Sequence, residues 1–368
     1  QNGKLILKKS ETIERSFNSL IVNNSPHSTV GNSSRKILRL ENGWIIFAIR
    51  MQESQNFSIK LYIDKNDGDG FVLLGLTGNL ISGDFCLSSI GTRIFIMYAA
   101  TTGVNMYYFD VTSFAVGSTI SSANSTFKMI TQSLTAVGSV SLCRKSNNGL
   151  SAAWTSKSAA LPNSFNVQYS ESIDFGVNWS TPLQVTNVNT TGSNVNNPVI
   201  LCLPNGNPQL VLTVNSNTAN SVQSYGWNGS NLVLNNTIYQ DPNHSQINPT
   251  AIVGKNGTIH VSWQGYDAQN PSAYMIRYSN SINDGLNWST ANRLYQGINP
   301  SITESSDGNI FIVFERLSNI FYTKNQAPSI QWPEVLIGSG NNPATLDDLN
   351  LKYEVPMVVR NTNTNVLF

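Results

Sequence analysis

Charge is scarce in this chain of 368 residues. Asp, Glu, Lys and Arg together make up 12% of the sequence, and the formal net charge is +1. A nucleic-acid partner would need a basic stripe that neutralises phosphates, so this composition argues against one. The sequence also lacks any apolar run of about 20 residues, the length that a membrane-spanning helix requires. We therefore expect no insertion into a membrane.

Cysteine and histidine are also rare. The three cysteines, Cys86, Cys143 and Cys202, form an odd number and give no complete disulfide framework. Each lies in a predicted strand shortly before a turn glycine, so we interpret all three as small buried apolar residues. The three histidines show no metal-ligand spacing. We expect neither a metal nor a cofactor.

Asparagine is unusually frequent, at about one residue in eight, and serine and threonine are abundant. Such a surface is hydrated through amides and hydroxyls rather than through charge. Secreted and virion-surface proteins often have this composition, and the chain starts at Gln1 rather than Met. The sequence therefore favours a secreted or surface-exposed protein, on a cell or a virion.

The stretch Ser172–Trp179 has the pattern Ser-x-Asp-x-Gly-x-x-Trp, which suits a tight β-hairpin. Asp174 can accept hydrogen bonds from backbone N–H groups in the turn. Gly176 can adopt a positive φ. Trp179 can fold back under the turn with its indole N–H available to a carbonyl.

The octet recurs twice with substitutions. Ser281–Trp288 has Asn in the Asp position, and Asp64–Phe71 begins with Asp and ends with Phe. The first residues of successive copies are 108 and 109 residues apart. The residues expected to build these turns are Asp64, Asn66, Gly68, Phe71, Ser172, Asp174, Gly176, Trp179, Ser281, Asn283, Gly285 and Trp288.

The octet resembles the Asp-box, or bacterial neuraminidase repeat, of sialidase-like β-propellers. In that family the Asp-box lies away from the active face, so the resemblance implies architecture rather than activity. A calcium loop is the alternative for Asp64–Gly70. It fits poorly, because Lys65 and Leu76 would then occupy ligand positions 1 and 12 of an EF-hand loop.

A longer repeat consists of an apolar strand, a turn with glycine and a second apolar strand. Asn-Gly and Asp-Gly between apolar runs are strong hairpin signals. The turn glycines are 48 to 58 residues apart, namely Gly43, Gly91, Gly149, Gly206, Gly257 and Gly308. A fainter seventh hairpin turns near Leu349. Four hairpins begin with Asn-Pro, and proline as the first residue of a strand costs no ladder hydrogen bond.

The period matches one propeller blade, so we predict an all-β fold with a single β-propeller domain over residues 1–368. We expect four-stranded antiparallel blades, with seven favoured and six as the alternative. Closure of the ring by an N-terminal strand near residues 4–7 would remove exposed edges. The predicted blades cover 30–80, 81–134, 135–190, 191–245, 246–297, 298–340 and 341–368.

The resemblance to sialidases implies a catalytic set of three arginines, a Tyr nucleophile with a Glu partner, and an Asp acid/base. The family's first arginine belongs to an Arg-Ile-Pro motif, whose place here is taken by Ser33–Arg35. The loop that should carry the acid/base reads Arg50–Asn56 and contains Glu53 but no Asp. These catalytic motifs are not matched, so we assign no catalytic residue.

The resemblance also implies that residues ending the second strand of each blade surround one mouth of a central channel. Planar donors and aromatic faces at these positions suit a sugar or a small anion. The alternative is that the charges pair with one another and the aromatic rings pack between blades. The candidate ligand-binding residues are Arg50, Tyr98, Trp154, Trp263, Gln264, Glu315, Arg316 and Arg360.

The sequence favours an exported, non-catalytic propeller that binds a glycan or another surface receptor. One alternative is a divergent sialidase-type exo-glycosidase that uses Arg35, Arg50, Arg316 and Arg360. Another is a scaffold for protein–protein interaction. Three convergent arginines with a Tyr–Glu pair would favour the enzyme. Shallow pockets between the blades would favour a lectin. A large exposed apolar patch would favour a scaffold that binds another protein.

Overall fold

The computed structural model describes residues 35–53, 56–67, 70–78, 83–216, 220–325, 332–346, 357–360 and 365–367. These residues form strands and turns but no helix, so none of them belongs to a helix that could cross a membrane. The strands form six blades, each of four antiparallel strands, and one smaller sheet.

The first three blades lie in the order of the sequence, and in each the first strand is innermost. Blade one comprises β1 (Ile37–Arg39), β2 (Ile45–Glu53), β3 (Asn56–Asp64) and β4 (Val72–Thr77). Blade two comprises β5 (Phe85–Ile90), β6 (Arg93–Ala99), β7 (Val104–Asp110) and β9 (Thr126–Thr131), while β8 (Ser118–Ile120) pairs in parallel with β4. Blade three comprises β10 (Ala136–Arg144), β11 (Leu150–Lys157), β12 (Asn166–Ser172) and β13 (Leu183–Gln184).

The next three blades repeat this order. Blade four comprises β14 (Asn194–Cys202), β15 (Pro208–Asn215), β16 (Asn220–Trp227) and β17 (Leu232–Asp241). Blade five comprises β18 (Gln246–Val253), β19 (Ile259–Asp267), β20 (Asn270–Ser281) and β21 (Asn292–Gln296). Blade six comprises β22 (Ile298–Glu304), β23 (Ile310–Arg316), β24 (Asn319–Lys324) and β25 (Glu334–Ser339).

The segment predicted as a seventh blade forms a three-stranded sheet, which we call the closing sheet. It contains β26 (Asn341–Thr345), β27 (Met357–Arg360) and β28 (Asn365–Leu367). Its first strand contacts β22 and β23 of blade six, and Ala344 and Leu346 pack into the core of blade one. Within the described residues the prediction of seven four-stranded blades is therefore wrong, and six is the number found. The segment is too short for four strands, and the predicted strand near residues 4–7 lies outside the described residues.

The second strand of each blade is buried on both faces because neighbouring blades pack against it. Strand β19, for example, is buried at eight of its nine positions. This burial explains the nearly continuous apolar runs that follow the turn glycines, since only strands covered on both sides lose the alternation of polar and apolar residues.

The octet turns contain the local hydrogen bonds that their residue types predict. In the first, the Ser172 hydroxyl donates to Asp174 (2.8 Å) and accepts from the Gly176 N–H (3.0 Å). Gly176 has a φ of 80°, and the Trp179 indole donates to its carbonyl (3.2 Å). Asp174 accepts from the backbone of Asn178, four residues on (2.8 Å).

The other two octets differ in how completely they repeat this pattern. In Ser281–Trp288 the serine, asparagine, glycine and tryptophan make the equivalent hydrogen bonds. In Asp64–Phe71 the Asn66 N–H donates to Asp64 (2.7 Å), and the Phe71 ring packs on Phe47. Gly68 lies outside the described residues.

A disulfide joins the inner strands of two blades. Cys143 on β10 and Cys202 on β14 are bonded, whereas Cys86 is a buried free thiol. The prediction of three unpaired cysteines is therefore wrong for two of them. The two bonded residues are 59 positions apart, about one blade period, so they occupy equivalent places on adjacent strands with Cα atoms 6.1 Å apart. This separation is within disulfide geometry, and an odd cysteine count does not exclude one bridge.

Candidate binding site at the channel mouth

The inner strands surround a channel with two different ends. At the start end, the inner strands begin and the second strands finish. At the turn end lie the glycine turns and the octets, as the pairing of Leu150 with Ser172 shows. The site predicted from the sequence belongs to the start end.

A recurrent irregularity shapes the start end in four consecutive sheets, where each inner strand has a register shift around its Asn-Pro pair. The asparagines there have positive φ values of 49° to 53°, namely Asn197, Asn248, Asn299 and Asn342. Asparagine tolerates this left-handed conformation better than most residues do. The following proline needs no hydrogen-bond partner for a backbone N–H.

Side-chain amides from three consecutive sheets form a chain across the mouth. The Asn248 amide donates to the Asn299 side-chain oxygen (3.2 Å), and the Asn299 amide donates to that of Asn342 (2.8 Å). Gln264 accepts from the Asn299 backbone N–H (2.5 Å). We call these four residues together with Glu315 the amide arc.

Glu315 is the only carboxylate of the amide arc. It is buried, with 7% of its surface exposed, and accepts hydrogen bonds from the side chains of Asn299 (3.2 Å) and Asn341 (2.6 Å) and from the backbone of Asn342 (3.0 Å). Hydrogen bonds to an ionised acceptor are stronger than neutral ones. Hydrogen bonds from neutral amides therefore stabilise the Glu315 carboxylate and fix its position.

The opposite part of the mouth is built from ions. Lys36 has a fully buried side chain whose ammonium pairs with Asp84 (3.0 Å), donates to the Phe85 carbonyl and lies 4.0 Å from the centre of the Phe85 ring. Burial lowers the pKa of Lys36, and the Asp84 carboxylate opposes that effect. Asp84 also accepts from the Val140 backbone N–H (3.3 Å), which links blades one, two and three.

Arg50 completes this charged side. Its guanidinium donates to the Gly83 carbonyl and lies 4.5 Å from the centre of the Phe57 ring. Its Nε is buried and has no hydrogen-bond partner among the described residues. Burial lowers the pKa of Arg50, and burial raises that of the neighbouring Tyr98 to about 12. We call Lys36, Arg50, Asp84 and Tyr98 the charged arc.

Four of the eight residues predicted from the sequence thus lie at this mouth: Arg50 and Tyr98 in the charged arc, Gln264 and Glu315 in the amide arc. Trp154 and Trp263 have no exposed surface, and their indole N–H groups donate to Gln168 and Gln246. Their arrangement matches the alternative in which aromatic rings pack between blades.

The remaining two candidates are not brought into either arc. Arg316 makes two hydrogen bonds of 2.8 Å to Glu334 and lies over the Phe321 ring, which matches the alternative of paired charges. For Arg360 only the backbone is described, and it pairs with Asn341.

Five residues of the two arcs were not predicted from the sequence: Lys36, Asp84, Asn248, Asn299 and Asn342. The repeated Asn-Pro pairs were a usable signal, because they mark where each inner strand begins. No repeated pattern marks Lys36 and Asp84, which are 48 residues apart and come together only through the packing of two blades.

The chemistry of the mouth is that of recognition by hydrogen bonds and charge. Around Arg50 and Glu315, the described residues show no set of three arginines with a Tyr–Glu pair. Nor does the described part of the chain bring three His, Cys, Asp or Glu side chains together as metal ligands.

Solved structures of similar fold cover nearly the whole chain. A PL25 ulvan lyase superposes with a TM-score of 0.63 at 8% identity, covering 95% of this chain and 94% of that one. A structure of the PL25 ulvan lyase bound to -[GlcA(1-4)Rha3S]- gives a TM-score of 0.58 at 8% identity, with 95% of both chains covered. An α-L-arabinanase from Penicillium chrysogenum, complexed with arabinobiose, gives 0.52 at 14% identity, with 94% and 97% covered.

These likenesses show a β-propeller fold that this chain shares with enzymes acting on glycans. No family model and no curated protein matches the sequence. Membership of the Asp-box superfamily therefore stays a prediction.

Proposed function

We propose that this protein is an exported, non-catalytic propeller that binds a glycan at the start end of its channel. The observation that carries the proposal is the combination of the amide arc and the charged arc at one mouth. Side-chain amides both donate and accept hydrogen bonds, as sugar hydroxyls do. The guanidinium of Arg50, a half-buried residue, is a planar donor of the kind that suits a carboxylate or a sulfate.

An acidic glycan is the ligand class that these groups fit best. Amide groups alone would suit neutral sugars, whereas Arg50 adds positive charge on one side, next to the Lys36–Asp84 pair whose two charges compensate each other. The ulvan lyase of similar fold is bound to -[GlcA(1-4)Rha3S]-, and the arabinanase is complexed with arabinobiose. These ligands support a glycan as the partner, and the charged arc supports an acidic one.

The state of the carboxylates supports binding without cleavage. General acid–base catalysis by a carboxyl needs a group that can exchange a proton with the substrate. Glu315 already accepts three hydrogen bonds, and Asp84 is paired with Lys36 and bonded to two backbone N–H groups. Among the described residues of the two arcs, both carboxylates are therefore already engaged in hydrogen bonds or an ion pair within the arcs.

Export is supported by the Cys143–Cys202 disulfide together with the low charge of the sequence. Disulfides persist in oxidising compartments and are rare where thiols are kept reduced.

The test is a glycan array that includes uronic-acid, sialylated, sulfated and neutral glycans, followed by titration calorimetry with the strongest ligand. The same preparation is assayed for release of reducing ends and unsaturated products from that ligand. We expect binding of an acidic glycan without cleavage. Cleavage would overturn the non-catalytic assignment, and binding of neutral glycans alone would overturn the acidic one.

Two matched variants locate the site. Arg50→Gln should weaken binding about tenfold or more, the usual range for a lost hydrogen bond to a charged group. Arg316→Gln makes the same substitution at the same end, but at a guanidinium already paired with Glu334, and should leave affinity nearly unchanged. The opposite ranking of these two variants would place the site elsewhere.

A further inference from the structure

The hairpin between the second and third strands of blade five extends further past the amide arc than its neighbour in blade six. Strands β19 and β20 stay paired as far as Asp267 and Asn270, three residues past Gln264. In blade six the corresponding pairing ends at Arg316, one residue past Glu315. The start end is therefore uneven, and the hairpin of blade five brings additional side chains next to Gln264.

Two tyrosines occupy this extension and stack on each other. The ring centres of Tyr266 and Tyr274 are 3.8 Å apart, with 27° between the ring planes. Both side chains are half-buried, so each ring keeps part of its surface open to solvent. Burial raises the pKa of Tyr274 to about 12, so its hydroxyl stays protonated and able to donate a hydrogen bond. We call Tyr266 and Tyr274 the tyrosine pair.

Tyr266 lies on the same face of β19 as Gln264. Side chains of a strand alternate between its two faces, so residues two apart share one face, about 7 Å apart along the strand. The register shift of this hairpin adds its extra residues to β20, so β19 keeps its alternation. From this face Gln264 reaches Asn299 at the start of blade six. The tyrosine pair therefore adjoins the amide arc on the side turned toward blade six.

Backbone hydrogen bonds hold the tyrosine pair in place from both sides. The Tyr266 N–H donates to the Ser245 carbonyl (3.1 Å), and the Gln246 side-chain amide donates to the Tyr266 carbonyl (3.0 Å). The Tyr274 carbonyl accepts from the N–H of Gly297, directly before β22 (2.9 Å). These contacts join the pair to the first residues of blades five and six. Aromatic rings that are already fixed lose little freedom when a ligand binds.

We propose that the tyrosine pair stacks against a sugar ring next to the ring that the amide arc binds, so that the site takes an oligosaccharide rather than a single sugar. The inference rests on the proposed function, because it extends the same glycan site outward. Side-chain amides bond to the hydroxyls at the edge of a sugar ring, whereas the C–H groups on the ring face are apolar and pack on aromatic surfaces. The amide arc consists of Asn, Gln and Glu side chains, and the tyrosine pair supplies the aromatic surface that it lacks.

The first experiment needs no variant. The probe is a glycan array on which the uronic-acid, sialylated, sulfated and neutral glycans are each present as chains of one to six sugars, followed by calorimetry with the one-sugar and two-sugar members of the strongest series. We expect affinity to rise at least about threefold from one sugar to two, the gain of one aromatic contact. Silence of the whole array would overturn the proposed function and this inference with it. Equal affinity for one sugar and two would overturn this inference alone.

Leucine variants locate the contact. Tyr266→Leu and Tyr274→Leu remove a flat ring but keep an apolar side chain, so each should weaken two-sugar binding by about three- to tenfold and leave single-sugar binding unchanged. Tyr266→Phe keeps the ring and should bind as the wild type does. Tyr322→Leu is the matched control, because Tyr322 is also half-buried and packs on an aromatic ring, that of Phe311, toward the turn end.

Two results would contradict the tyrosine pair while leaving the proposed function standing. One is unchanged two-sugar binding in both leucine variants of a protein whose wild type binds the glycan. The other is an equal loss of single-sugar and two-sugar binding, since that would show that the tyrosines only support the structure of the mouth.

Discussion

The two arcs of the start-end mouth occupy equivalent places in successive sheets but are stabilised in opposite ways. The charged arc depends on one buried ion pair, Lys36–Asp84, in which each partner compensates the other. The amide arc surrounds one carboxylate, Glu315, with neutral donors shared among several residues. A repeated backbone therefore does not imply repeated chemistry. Removal of one group should therefore lower the free energy of unfolding far more in the charged arc than in the amide arc.

The largest effect is expected for Asp84→Ala. This variant leaves the Lys36 ammonium buried without its carboxylate, and breaking a buried ion pair in this way costs about 3–5 kcal/mol. The free energy of unfolding is measured in urea. The double variant Lys36→Met with Asp84→Ala removes both charges and should recover most of the loss. A loss below about 1 kcal/mol for the single variant, typical of surface ion pairs, would remove the distinction between the arcs.

A smaller effect is expected for Glu315→Gln. With the new NH2 group in the place of the oxygen that faces Asn341, a donor meets the Asn341 side-chain amide, so one hydrogen bond is lost, at a cost of about 1–3 kcal/mol. Glu334→Gln is the matched control, because Glu334 pairs with Arg316 at a more exposed position. If both variants lowered the free energy of unfolding in urea by the same amount, the burial of Glu315 would not increase the cost of the substitution.

The smallest effect concerns pH. Burial lowers the pKa of Lys36 in the folded chain below its ordinary value of 10.5. At pH values between the folded-state pKa and 10.5, the unfolded chain therefore binds more protons than the folded chain. The contribution of Lys36 to the free energy of unfolding therefore rises with pH in that window, with a slope below about 1.4 kcal/mol per pH unit. The Lys36→Met variant should not show this rise. The difference in the free energy of unfolding between the wild type and this less stable variant should therefore widen toward pH 10.5.

The control for that measurement is Asn299→Ala in the amide arc, whose stability should run parallel to that of the wild type across the same pH range. Parallel curves for Lys36→Met and the wild type would instead show that the protonation of Lys36 does not differ between the folded and unfolded states.

The repeat and the turns were predictable from the sequence because they depend on local chemistry. Asn-Gly and Asp-Gly turns fix the register of each hairpin, so counting from a turn glycine picked out Gln264 and Glu315, which both bond to Asn299. The same count included Trp263, which points the other way, since adjacent residues of a strand face opposite sides. Its indole packs between blades, whereas Gln264 joins the amide arc.

The features that escaped prediction depend on contacts between blades. Lys36 and Asp84 meet across two blades, and Cys143 and Cys202 meet across two others, at separations of about one repeat. No local pattern distinguishes such pairs from unpaired residues. The closing sheet escaped for a different reason. A faint hairpin at the end of the chain shows that strands are present but not how many of them complete a blade.

The disulfide also determines what a protease would leave behind. The cross-link encloses the chain from Cys143 to Cys202, and within that span the connection between blades three and four is exposed from Asn189 to Gly192. A single cut there would produce two polypeptides still joined covalently through sulfur. The nicked protein would keep its full mass on a non-reducing gel and separate into two bands only after reduction. A cleaved ring could thus stay one molecule in an oxidising environment, with both ends of its channel intact.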